Sequence, residues 1–219
     1  AVVEGEVAMS SAREEILAAV RDAVRGAEQV EAPQPQPTLP PPDPGQMLDR
    51  FAELVSDYRA TVVRCRSHDV PVQVLTALRG AERVLVPDGV PDAVREAVVG
   101  RLGEDAVSTG DVDDHDVEGF DSVVTTCAAG IAATGTVVLD HGEGQGRRAL
   151  TLLPDRHVVI VRASQVVPDV PHAVRRLDPL RPQTWISGPS ATSDIELDRV
   201  EGVHGPRTLH VIIVADGGR

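Results

Sequence analysis

An apolar, β-branched run near the carboxyl end constrains the fold most strongly. Residues 209–214 read Leu-His-Val-Ile-Ile-Val, which is strand length and lacks the polar alternation of a half-exposed strand. Runs of this kind are typical of strands that are buried on both faces of a parallel sheet. The sequence therefore predicts a central strand here, with neighbouring strands on both of its edges.

The first of two loops before this strand is a tight turn with hydroxyl groups. It follows a short apolar run at 184–187, and Gly188 with the proline after it forces the chain to turn. Ser190 and Thr192 then provide hydroxyls and helix-capping groups beside exposed backbone amides. Such a turn suits an anion, although the same residues also fit an ordinary turn.

The second loop presents His204, which can titrate, and Arg207, which is always charged. Exposed backbone amides stabilise an anion by about 0.3–1 kcal/mol, whereas millimolar binding requires roughly 4 kcal/mol. A bound carboxylate would therefore need Arg207 as well, unless this arginine is simply a residue at the rim of the fold. Asp194 and Glu196, which lie between the two loops, also belong to the predicted substrate-binding set. We predict no metal site, because the histidines and acidic residues show no common ligand spacing.

A third stretch rich in small residues follows a predicted strand at 121–126. It contains the hydroxyls of Thr134 and Thr136 on either side of Gly135. Ligands of open α/β sheets usually lie just outside the carboxyl ends of the strands, so this turn is a candidate binding segment. The alternative is that its small residues merely permit tight packing.

These three stretches resemble the motifs of the LUD-domain family. The segments are Gly-Ile-Ala-Ala-Thr-Gly-Thr-Val-Val-Leu at 130–139, Ser-Gly-Pro-Ser-Ala-Thr-Ser-Asp-Ile-Glu at 187–196 and Gly-Val-His-Gly-Pro-Arg at 202–207. The chain departs from the family pattern at Ala133, where an acidic residue is typical, and at Ala191, where a basic residue is typical. A mechanism that needs either charge is not supported by this sequence.

The resemblance implies the fold of the superfamily that contains glucosamine-phosphate deaminase, ribose-phosphate isomerase and the CoA-transferases. It also implies a component of the system that oxidises L-lactate to pyruvate together with iron–sulfur partner proteins. On this hypothesis Arg207 pairs with the carboxylate of a small 2-hydroxy or 2-oxo acid. Ser190 and residues 134–136 donate hydrogen bonds, and His204 exchanges a proton at the hydroxyl.

Two other classes of function remain open from the residues. The chain could be an independent enzyme that acts on sugar phosphates or acyl-CoA, or a non-catalytic assembly protein, which the missing acid at Ala133 favours. No nucleophile elbow, phosphate-binding loop or serine-protease-like triad is recognisable in the sequence. The residues alone therefore do not decide whether the chain is an enzyme.

Composition excludes several classes of partner. The net charge is −13, the wrong sign for binding nucleic acid, and aromatic residues make up 2%. The 2 cysteines are too few for an iron–sulfur cluster, so we expect no cofactor in this chain and place the clusters in partner proteins. No apolar stretch is long enough to span a membrane and no secretory signal is recognisable, which predicts a cytoplasmic protein.

The predicted organisation has four parts. Residues 1–8 are expected to be an extension or vector remnant, 9–29 an amphipathic helix that begins at a capping box, 30–45 a proline-rich linker and 46–219 the LUD α/β domain. Strands and helices alternate in the last part, with an acidic loop at 111–118. This alternation predicts a mixed, largely parallel sheet with helices on both faces, and an N-terminal helical arm through which the chain could form a homo-oligomer.

Overall fold

A computed structural model describes residues 3–26, 42–109, 113–190 and 205–215. The chain divides into two compact units, Ala1–Gln34 and Pro35–Arg219. A membrane span needs a long, apolar helix, and the described residues contain no helix of that kind.

The first unit contains one described helix, α1 (Val3–Val24). The helix begins before the predicted capping box, so Ser11 lies inside it and the predicted start is wrong. The apolar stripe predicted from the periodicity includes Ile16, Val20 and Val24, whose side chains are exposed. Its burial against a second subunit stays a prediction.

The second unit is built from alternating helices and strands. Its helices are α2 (Pro44–Asp57), α3 (Val70–Ala77), α4 (Asp92–Leu102), α5 (Asp114–Val117), α6 (Arg148–Leu152) and α7 (Val170–Arg176). Its strands are β1 (Thr61–Arg66), β2 (Val84–Leu85), β3 (Val107–Ser108), β4 (Ser122–Thr125), β5 (Ala129–Ile131), β6 (Thr136–Leu139), β7 (Arg156–Arg162), β8 (Val166–Val167), β9 (Thr184–Ile186) and β10 (Thr208–Ala215). The mixed α/β class predicted from the sequence is confirmed.

Six strands form one parallel sheet in the order β1-β10-β7-β4-β2-β3. β10 lies between β1 and β7, as the β-branched run predicted. Val211 and Ile213 of this strand pack on one face of the sheet, and Ile212 and Val214 pack on the other. The run is uniformly apolar because both of its faces are covered.

The two faces of this sheet are covered differently. α3 and α4 pack on one face through Val74, Val94 and Val98. The opposite face is covered by α2, through Phe51 and Val55, and by strands of a second sheet. That second sheet, in the order β8-β5-β6-β9, contains antiparallel pairs and was not predicted from the sequence.

The start of α2 follows directly from its sequence. The Asp43 carboxylate accepts hydrogen bonds from the backbone amides of Gly45 and Gln46, at 2.8 and 3.3 Å, and Pro44 occupies the first helical position, where no amide is needed. The helix therefore begins within the last residues assigned to the proline-rich linker.

One local prediction needs correction, and one short helix was not predicted. The acidic stretch 111–118 was predicted to be a loop, but α5 forms within it and buries Val117 against Phe120. The apolar residues after the glycine-rich segment 142–146 form α6, whose Leu150 packs in the same cluster. One described buried side chain holds α5 on the domain, and two, Leu150 and Thr151, hold α6, so neither helix shows a long periodic pattern.

Candidate functional site

A cavity of about 250 Å³ lies where the two predicted loops meet. The backbone amide of Ser190 donates to the carbonyl of Pro206 at 2.8 Å, which joins the loops. The buried residues His157 and Leu209, at the amino ends of β7 and β10, and residues of α6 complete the lining. We call this space the loop cavity.

The structure brings several predicted residues to the loop cavity. Gly188 and Ser190 line it directly. Thr136 reaches it indirectly, because its hydroxyl shares hydrogen bonds of 2.7 Å with Thr134 and with Ser187, which also lines the cavity. The remaining predicted residues Thr192, Asp194, Glu196 and His204 lie outside the described residues.

Gly188 is required by its backbone conformation and by its neighbour. Its φ angle is +96°, a region that side chains rarely adopt, and a Cβ atom there would lie 2.7 Å from the Cβ of Tyr58. The turn can therefore lie directly against the end of α2. This contact fixes the position of the loop that carries Ser190.

Arg207 is placed differently from the prediction. Its guanidinium group donates from both Nε and Nη2 to the carboxylate of Asp155, and the two side chains are about half exposed. Arg207 is absent from the described residues that line the loop cavity. The pairing of Arg207 with a ligand carboxylate stays a prediction, and such a ligand would have to compete with Asp155 for the guanidinium group.

Arg148, at the start of α6, supplies the cation of the loop cavity. Within the described part of the chain its guanidinium forms no ion pair, and the side chain is exposed. The sequence indicated no ligand-binding role for this residue. The available signal was a pair of arginines after a glycine-rich segment, which is also typical of a simple surface charge.

His157 is the second residue that the sequence analysis missed. The side chain is fully buried, and its Nε2 lies 2.7 Å from the hydroxyl of Thr125. Burial lowers the pKa of His157 to about 4, so the ring is neutral at pH 7. Its Nδ1 is also buried and has no hydrogen-bond partner among the described residues, which is unusual for a polar atom in a folded protein.

A second histidine orients a hydroxyl in the lining of the loop cavity. His141 Nδ1 lies 3.0 Å from the carbonyl oxygen of Gly146, and its Nε2 lies 3.0 Å from the hydroxyl of Thr184. A carbonyl can only accept, so Nδ1 carries a hydrogen, and in the neutral ring Nε2 accepts from the Thr184 hydroxyl. The Thr184 oxygen therefore keeps its acceptor capacity for a ligand.

The cysteines are unsuited to nucleophilic chemistry. Burial raises the pKa of the Cys127 thiol to about 12, and burial and Asp69 raise the pKa of Cys65. The thiolate is the reactive form. We expect Cys127 in the folded protein to react with a disulfide reagent at pH 8 roughly a thousandfold more slowly than an exposed thiol.

This expectation is checked by following thiol release in a Cys65→Ala variant, in which Cys127 reports alone. Urea should restore the full rate, because unfolding removes the burial that raises the pKa. A rate in the native protein equal to that in urea would contradict the assignment of Cys127 as a buried, inert thiol.

The fold and the loop cavity define an α/β protein with a cavity of mixed polar and apolar lining beside a parallel sheet. The LUD domain model matches residues 97–214, and the chain belongs to the LUD-domain family. Family membership confirms the resemblance drawn from the three sequence motifs.

Individual relatives are consistent with this family. The chain is 40% identical over 210 residues to Lactate utilization protein C of Deinococcus radiodurans, covering 94% of this chain and 96% of that protein. It is 41% identical over 92 residues to Lactate utilization protein C of Bacillus pumilus, covering 38% of each. A crystal structure of a DUF162 family protein from Deinococcus radiodurans is similar, with a TM-score of 0.67 and 36% identity over 80% of this chain and 99% of that one.

Proposed function

We propose that the chain takes part in lactate utilization and that its loop cavity binds a small 2-hydroxy or 2-oxo acid. The role in lactate utilization is supported by the name of its relatives, Lactate utilization protein C. The single observation that supports this choice of ligand is the buried, neutral His157. Its Nδ1 has no hydrogen-bond partner among the described residues, and its side chain lines the same cavity as Arg148. A carboxylate beside a hydroxyl or carbonyl group matches these two side chains.

Arg148 would hold the carboxylate. Its planar guanidinium can donate two parallel hydrogen bonds to a carboxylate, and the hydroxyls of Ser187 and Ser190 lie in the same lining. The cavity volume of about 250 Å³ suits a small acid better than a CoA thioester.

His157 would recognise the neighbouring oxygen in either oxidation state. If Nε2 donates to the Thr125 hydroxyl, Nδ1 accepts from the hydroxyl of a 2-hydroxy acid. If the Thr125 hydroxyl donates instead, Nδ1 carries the hydrogen and donates to the carbonyl of a 2-oxo acid. The two tautomers of the His157 ring, each matched by one orientation of the Thr125 hydroxyl, therefore accommodate both members of a hydroxy acid and oxo acid pair.

Electron transfer would be left to iron–sulfur partner proteins in the cytoplasm. The chain has two free cysteines, Cys65 and Cys127, and neither a buried thiol with a raised pKa nor a pair of thiols can hold such a cluster. Affinity purification of the tagged chain tests this part of the proposal. Recovery of proteins that carry iron and acid-labile sulfide would support it, and recovery of the chain alone would contradict it.

Calorimetric titration with L-lactate and pyruvate tests the ligand assignment. We expect binding by the native chain, and a loss of about 10- to 150-fold in affinity for Arg148→Gln, since a hydrogen bond to a charged group contributes roughly 1.5–3 kcal/mol. Arg207→Gln is the matched control and should bind as the native chain does. A sugar phosphate and acetyl-CoA complete the titration.

Three outcomes would contradict the proposal in different ways. Loss of binding in Arg207→Gln but not in Arg148→Gln would place the carboxylate at Arg207, as the sequence pattern predicted. Binding of the phosphate or CoA ligand instead of lactate or pyruvate would favour an independent enzyme. No binding of any ligand would favour a non-catalytic assembly protein.

A further inference from the structure

A second, separate crevice lies at the carboxyl ends of the parallel strands. It consists of a polar compartment of about 250 Å³ and an apolar compartment of about 230 Å³. Both compartments are lined by Pro91, Ile160 and Arg162, so they adjoin each other. We call this space the carboxyl-edge crevice. None of its described lining residues belongs to the loop cavity, and it lies where open α/β sheets usually bind ligands.

The polar compartment carries one positive and one negative side chain. Arg162 at the end of β7 and Glu143 in the segment after β6 both line it, and both side chains are exposed. Within the described part of the chain they form no ion pair with each other or with another residue. Two opposite charges in one compartment that do not pair with each other are suited to a ligand that carries both charges.

The backbone at both charged residues is fixed to the end of β4. Thr126 donates from its hydroxyl to the carbonyl of Glu143 at 3.0 Å. Gln165 accepts from the backbone amide of Arg162 at 2.9 Å, and donates to the carbonyl of Cys127 at 2.6 Å. The backbone segments that carry the two charges are therefore anchored at the same place on the sheet edge, which reduces the ordering cost of binding.

The apolar compartment begins at Arg162 and Ile160 and continues along buried valines. Val70 of α3, Val94 of α4 and Val214 of β10 line it and are each at least 94% buried. An apolar group that entered the compartment would leave water without displacing the core. The crevice therefore contains a cationic side chain, an anionic side chain and an adjoining apolar pocket.

We propose that the carboxyl-edge crevice binds an α-amino acid with an apolar side chain. Arg162 would pair with the α-carboxylate, Glu143 with the α-ammonium group, and the side chain would occupy the apolar compartment. A simple carboxylic acid would leave Glu143 beside an anion, and an amine would leave Arg162 beside a cation. An amino acid satisfies both charges, and this assignment is independent of the function proposed for the loop cavity.

Calorimetric titration with leucine and three matched analogues tests each part of this assignment. The compound 4-methylpentanoate lacks the ammonium group and carries no 2-oxo oxygen that the loop cavity could recognise. Isopentylamine lacks the carboxylate, and glycine lacks the apolar side chain. We expect leucine to bind at millimolar concentration or below and each analogue to bind about tenfold or more weakly, because each loses a charged hydrogen bond or a buried apolar group.

Variants on the exposed rim locate the binding without disturbing the core. Arg162→Gln and Glu143→Gln should each weaken leucine binding by about tenfold or more. Ala93→Phe, at an exposed position that lines the apolar compartment, should abolish the advantage of leucine over glycine. Arg101→Gln and Glu96→Gln, on exposed parts of α4 away from the crevice, are the matched controls and should bind leucine normally.

Three results would overturn the proposal. They are the absence of leucine binding at millimolar concentration, binding of 4-methylpentanoate or the amine as strongly as leucine, and binding that survives both Arg162→Gln and Glu143→Gln. Because the loop cavity is tested with L-lactate and pyruvate on Arg148→Gln, either site can fail without the other.

Discussion

Gly135→Ala is expected to lower the free energy of unfolding by about 2–5 kcal/mol. The φ angle of Gly135 is +60°, and a Cβ atom would lie 2.7 Å from the backbone carbon of Leu54 and 2.8 Å from the nitrogen of Val55. The conformation alone costs about 1–2 kcal/mol for alanine, and forcing a group against packed backbone adds about 1–3 kcal/mol. Urea denaturation of both proteins measures the difference.

Gly80→Ala is the matched control for this prediction. Gly80 also has a positive φ angle, +78°, but a Cβ atom there would meet nothing within 4 Å. It should therefore lose about 1–2 kcal/mol, from conformation alone. Equal losses for the two variants would show that Gly135 is needed for its turn and not for its contact with α2.

Stability is expected to fall as the pH decreases from about 6.5 to about 4 because of His157. Burial lowers the pKa of His157 from 6.5 to about 4 in the folded protein, so the unfolded chain binds more protons in this interval. The free energy of unfolding therefore decreases as the pH falls through it, by on the order of 3 kcal/mol, and this contribution is complete above pH 6.5.

A difference measurement isolates this contribution from other groups. Burial also lowers the pKa of His210, with a further contribution from the charge of Arg156, and carboxylates titrate at the lower end of the interval. Urea denaturation at several pH values gives the free energy of unfolding of the native chain and of His157→Gln. The difference between the two proteins removes the contributions of the groups that they share. Parallel pH profiles for the two proteins would contradict the buried, neutral assignment of His157.

Local sequence patterns predicted the main sheet well. The β-branched run of β10 and the alternating strand and helix signals are local properties, and the folded chain preserves them. The second sheet could not be predicted in the same way, because its strands are short and the pairings of β5 with β8 and of β6 with β9 join segments that are distant in the chain. α5 was missed for a related reason, since the burial of Val117 depends on contacts with Leu85 and Val123.

The candidate site was predicted in part. The convergence of the turn at Gly188 with the loop before β10 was indicated by the sequence motifs. The roles of Arg148 and His157 depend on which elements pack together, and no local pattern distinguishes them from a surface charge and a core residue. A polar side chain at a fully buried strand position was the one signal for His157.

Gly135 and Gly188 both lie against the carboxyl-terminal end of α2, at Leu54, Val55 and Tyr58. This helix and β1 precede residues 97–214, the region that matches the family model. A fragment trimmed to the matched region would lose Phe51 and Val55 from the core and would expose the edge of β10 that pairs with β1. The boundary suggested by sequence similarity is therefore not a folding boundary, and an expression fragment of this domain should begin no later than Asp43.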